Sequence, residues 1–177
     1  IMAHTLDALL REPFLLPHNR RADWENFSRL ADDRTRIVSS SQMSEVDKEL
    51  FDDGHTSETA CYLINIDRLP PPANGKMGRG IFKLGIWVNG QMFDRVDTTH
   101  LLPFVVAHER YETWALTDPQ QPDIAEAHRM ARYYQYHLAM KAGVLPDLLR
   151  LHKQINDDCE DDRIAEDVVS GRYRNPI

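Results

Sequence analysis

Residues 101–116 read Leu101-Leu-Pro-Phe-Val-Val-Ala-His108-Glu109-Arg-Tyr111-Glu112-Thr-Trp-Ala-Leu116, and the way this stretch folds decides the rest of the chain. Leu101, Phe104, Val105, Ala115 and Leu116 recur at helical spacing and predict the apolar stripe of an amphipathic helix. Asp97, Thr98 and Thr99 offer capping oxygens ahead of it, and Pro103 suits a first turn, where no backbone N–H is needed. The stripe runs on through His108, Tyr111 and Glu112. An imidazole and a carboxylate are thus expected on a buried face, where an unpartnered carboxylate is costly. A bound cation removes that cost. A salt bridge or a hydrogen-bonded core histidine is the plainer alternative.

The motif is His-Glu-x-x-Glu. With 8 His among 177 residues, chance supplies roughly 0.03 such matches, so the pattern invites a physical account. Positions four apart lie above one another on a helix, which lets His108 and Glu112 grip one ion. Glu109 projects about a hundred degrees away, where it can act as general base on a metal-bound water.

A third ligand comes from the next helix. Thr117-Asp-Pro-Gln-Gln-Pro122 is a turn-rich break, and a second helix is expected from about Pro122 to Ala142, with Gly143 ending it. Its expected inner face is Ile124, Ala127, His128, Ala131, Gln135, Leu138 and Ala142. So short a loop makes the two helices antiparallel neighbours. Glu112 and His128 then lie roughly 7.5 and 9 Å from the connection, at similar height. Two His, one Glu and a position left for water match a catalytic zinc site holding one Zn²⁺. Gln135 is the expected outer partner of a ligand, and Tyr111, Tyr134 or His100 could polarise the oxyanion. His137, nine residues after His128, falls on the opposite face.

Gly80-Ile-Phe-Lys-Leu-Gly-Ile-Trp-Val-Asn89-Gly90-Gln-Met-Phe93 predicts two strands about an Asn-Gly turn, and Thr59–Ile66 predicts another. The apolar run into His108-Glu109, preceded by strands, resembles the active-site helix of zincin metallopeptidases over roughly residues 58–142. The resemblance implies an α+β fold in which a small antiparallel sheet packs on the active-site helix and further helices follow. It also implies a peptide or protein substrate held along an edge strand. Glu112 departs from the usual H-E-x-x-H, as though the ligand types of Glu112 and His128 were exchanged.

Composition bounds the remainder. The length and the 42% hydrophobic content fit one domain over residues 2–177, with Ile1 read as an expression scar. Within it we expect a strand region at about 58–95, a metal-site helical hairpin at about 98–142, and a C-terminal helix and tail at 146–177. Net charge −7 and a pI near 5.6 argue against a nucleic-acid-binding surface. No apolar run reaches a membrane span, and Cys61 and Cys159 are too few for a disulfide framework, so a cytoplasmic location is expected. Asp157–Asp162 lacks the glycine of a calcium loop, which argues against calcium. The pattern of two Glu-x-x-His pairs that a di-metal bundle requires is absent. Three readings follow: a zinc-dependent hydrolase of the metallopeptidase type, a zincin-like binding or regulatory domain without turnover, and a structural α+β domain whose His108–Glu112 pair is a buried hydrogen bond.

Overall fold

A computed structural model describes residues 6–10, 24–25, 27–29, 31, 35–38, 86–89, 93, 95–116, 124–155 and 159–172. The described residues are overwhelmingly helical. Helix α1 spans Leu6–Leu10, α2 Leu102–Leu116, α3 Ile124–Ala142, α4 Leu145–Ile155 and α5 Cys159–Ser170. Helix α3 is the hub, with α1, α2, α4 and α5 all packed against it.

The expected antiparallel sheet is a correction. Among the described residues, strand pairing is confined to β1 (Thr35–Val38) and β2 (Ile86–Asn89), which run parallel with Thr35 opposite Ile86 and Val38 opposite Asn89. The second hairpin strand expected after Asn89 is not present among the described residues. Phe93 already lies in a helical turn, and Arg95–Thr98 form the bend that leads into a short 3-10 turn, Thr99–Leu101. An Asn-Gly pair favours a tight turn, but local turn chemistry does not choose the pairing partner, and tertiary packing overrides it. The strand expected at 59–66, and the segment 68–79, lie outside the described residues.

Helix α2 is not amphipathic. From Phe104 to Ala115 every residue except Val106 is buried, including His108, Glu109, Arg110, Glu112 and Thr113. A helix covered all round belongs to the core. Its entry also differs from expectation, because no side chain caps the 3-10 turn at Thr98. Instead the Thr99 hydroxyl lies 2.6 Å from the Phe93 carbonyl and 2.7 Å from the Arg95 carbonyl, serving as donor rather than cap.

Helix α3 ends at Gly143, whose φ of +75° favours a residue without Cβ. The Gly143 N–H donates to Met140 and the Val144 N–H to Ala139, so the last turn closes on its own carbonyls. Sequence reasoning missed α5 by treating Asp157–Asp162 only as an acidic run. Glu160, Asp161 and Asp162 are its first turn, where negative charge complements the helix dipole, and Ile164, Ala165 and Val168 are its buried face.

An aromatic cluster joins α2 to α3. Tyr111 stacks on Tyr134 with ring centroids 4.6 Å apart, and Trp24 packs edge-on against Trp114 and Tyr134. The Tyr134 hydroxyl donates to the Leu10 carbonyl at 3.0 Å and ties α1 to the bundle. Tyr134→Phe should cost about 1 kcal/mol in a urea unfolding curve and speed amide exchange in α1. Unchanged exchange in α1 would show that this bond does not hold the helix.

Candidate metal centre

Helices α2 and α3 bring His108, Glu112 and His128 together. One ligand atom from each lies within 4.8 Å of the others. Glu112 Oε2 is the shared point, 3.3 Å from His108 Nε2 and 3.4 Å from His128 Nδ1. The two imidazoles meet edge to face with centroids 4.8 Å apart. Small Ala127 and Ala131, both buried on α3, allow this approach. The His108 and Glu112 side chains are 4% exposed and that of His128 46%, so the cluster is closed from within and opens past His128.

Glu109 is buried one residue from His108, and its Oε1 lies 3.9 Å from His108 Nε2. The carboxylate curls back toward the cluster instead of leaving the helix at right angles. All four residues expected at the centre are thus gathered in one place.

The expected outer residues fare differently. Tyr111 and Tyr134 sit in the aromatic cluster, and the Tyr134 hydroxyl is committed to Leu10. His100 pairs with Asp147 at 2.9 Å in an exposed contact. Gln135 is buried, and among the described residues it is linked to His128 through Arg132, whose Nη1 donates to Gln135 Oε1 at 3.2 Å.

Arg132 is the residue the sequence reading missed. It lies one turn after His128, and that i, i+4 spacing was an available signal. Its Nη2 is 3.3 Å from His128 Nε2, its Nη1 is 3.0 Å from both ring nitrogens of His152, and its Nε is 3.3 Å from Asp161 Oδ1. Tyr136 adds its hydroxyl 2.7 Å from His152 Nδ1. A polar seam therefore runs from α2 across α3 to α4 and α5.

Electrostatics follow from burial. Burial pushes His108 down to about 4, against a smaller opposing pull from Glu112. For Glu112, burial acts to raise the pKa, yet hydrogen bonds to His108 and His128 outweigh it and hold the carboxyl well below its usual range. Burial, and then the Arg132 charge, lower His152 to about 2. At neutral pH the chain thus presents neutral His108 beside ionised Glu112, the protonation states a metal requires.

A stability prediction follows for the metal-free protein. His108 and His152 bind fewer protons folded than unfolded, so their contribution is complete above about pH 6.5 and is lost as pH falls toward their folded values. Glu112 adds further loss below the ordinary carboxylate range. Burial of neutral His108 alone represents on the order of 3 kcal/mol by pH 4. The thermal midpoint after chelator treatment should fall between pH 7 and pH 5, and a flat or rising midpoint contradicts this assignment.

No family model, curated protein or solved structure matches the chain. Function is therefore argued from the chemistry of the cluster.

Proposed function

We propose that the chain is a zinc-dependent hydrolase of the metallopeptidase type. One Zn²⁺ is held by His108, Glu112 and His128, and Glu109 is the general base. The observation that carries this reading is the spacing of the donors. Bonds of 2.0–2.1 Å in tetrahedral geometry put neighbouring ligand atoms about 3.3–3.4 Å apart. The Glu112 oxygen stands 3.3 and 3.4 Å from the two histidine nitrogens, while the three donors together span up to 4.8 Å, so the histidines would close toward each other on an ion. Charge-assisted hydrogen bonds would draw closer, to about 2.7–2.9 Å.

Zinc supplies a Lewis acid and lowers the pKa of bound water. The chain supplies the rest. Neutral His108 and His128 donate lone pairs, and Glu112 brings the negative charge that offsets the ion. Glu109, buried beside the cluster, would take the proton of that water, and substrate would enter past His128, the exposed member. A peptide or protein is the substrate class, as the likeness of the Leu101–Glu112 stretch to a zincin helix implies.

A second reading has one observation in its favour. Arg132 donates toward His128, which suits a structural network in which Glu112 accepts from two histidines with no ion present. Zinc stoichiometry of the purified chain, with hydrolysis of an unfolded protein before and after chelation, separates the readings. One zinc per chain and chelator-sensitive turnover support the hydrolase. Zinc without turnover leaves a binding domain, and no zinc leaves the structural network.

A further inference from the structure

Arg132 and a metal make opposite demands on His128. A guanidinium only donates hydrogen bonds and stays charged. The ring nitrogen that faces it at 3.3 Å, Nε2, must therefore present a lone pair. In a neutral imidazole the proton then sits on Nδ1, where it points at Glu112 Oε2. That nitrogen is the one facing the other two ligands. Once protonated, it has nothing to offer a cation.

Metal binding reverses the arrangement. A lone pair on Nδ1 puts the proton on Nε2, face to face with the Arg132 N–H, donor against donor. Turning the ring over does not help, because it exchanges Nδ1 with Cδ2 and Nε2 with Cε1 and so turns carbon toward both Glu112 and Arg132. A ligating histidine normally gives its second N–H to a carboxylate or carbonyl. Here that partner has the wrong polarity.

We infer that Arg132 is a built-in competitor of the metal, holding His128 in the non-ligating tautomer until an ion displaces its Nη2. This deepens the metal-site reading and rests on it. Arg132 need not leave the seam when displaced. Asp161 holds Nε at 3.3 Å, and Gln135 and His152 engage Nη1, so these partners tether the planar group while it tilts as a whole to carry Nη2 away from His128. The guanidinium also sets a fixed positive charge beside the site, which opposes a cation whatever the rotamer.

The test measures zinc affinity of the full chain by competition with a chromophoric chelator. Arg132→Gln removes the charge and offers an amide oxygen that accepts the Nε2 proton, and it should bind zinc about tenfold more tightly or better. Arg132→Lys keeps a cationic donor and should stay nearer the wild type. Independently of any variant, imidazole ¹⁵N shifts of the metal-free wild type should report His128 protonated on Nδ1, with the proton transferred to Nε2 on zinc loading. Equal or weaker zinc binding by Arg132→Gln, or an Nε2-protonated His128 in the metal-free protein, overturns the inference while leaving the metal site standing. Failure of the wild type and the variant alike to bind zinc overturns both.

Discussion

Glu109→Gln should lower hydrolysis of an unfolded protein by several powers of ten while zinc stays bound. The expectation rests on position. Glu109 Oε1 is 3.9 Å from His108 Nε2, the proposed ligand atom, within reach of a water on the proposed ion, and the side chain is buried away from competing solvent. General-base catalysis contributes about 10²–10⁴-fold where a base is so placed, and losing it also leaves the metal-bound water without a proton acceptor. The amide of Gln fills the same space without taking a proton, so folding and metal content should change little. Residual turnover within tenfold of the wild type would remove Glu109 from the role of base. If zinc is lost along with turnover, Glu109 is a ligand and the division of labour between the two glutamates is wrong.

Glu112→Gln should act on the earlier step. Glu112 is the anionic member of the proposed ligand set, and its Oε2 is the atom both histidines approach. Outer partners of metal ligands are worth about 10–100-fold in affinity, and an anionic ligand should exceed that range. Zinc affinity of Glu112→Gln is expected to fall by more than about a hundredfold, with turnover falling in parallel at limiting zinc. The metal-free variant should also lose part of the acid sensitivity, because the carboxylate with the lowered pKa is gone. Zinc binding unchanged by this substitution would exclude Glu112 from the first coordination sphere. The two variants report on different steps, and identical effects on metal content contradict the roles assigned to them.

Helical spacing carried much of the site. The i, i+4 relation of His108 and Glu112 and the short break before Ile124 were enough to place His128 opposite Glu112, because helix rise and loop length are local quantities. The outer residues were not legible in that way. Tyr111 lies near the face of His108, but which neighbours an aromatic ring meets depends on the third element against it, here Trp24. Arg132 and Asp161 come from separate helices, and their meeting at 3.3 Å depends on how α5 returns over α3.

What the sequence determined by itself was the periodic and the adjacent. It specified the helix through Leu102–Leu116, the helix ending at Ala142 with Gly143 beyond it, and the convergence of His108, Glu112 and His128. Tertiary structure alone decided that the Leu102–Leu116 helix is buried nearly all round from Phe104 to Ala115 and that the strand ending at Asn89 pairs in parallel with Thr35–Val38. It also decided that a guanidinium, not an acceptor, faces the outer edge of His128. The physical reason is range. Spacing along one chain records which residues share a face, but strand pairing and the polarity of a buried partner depend on segments distant in sequence, where packing selects among locally equivalent options.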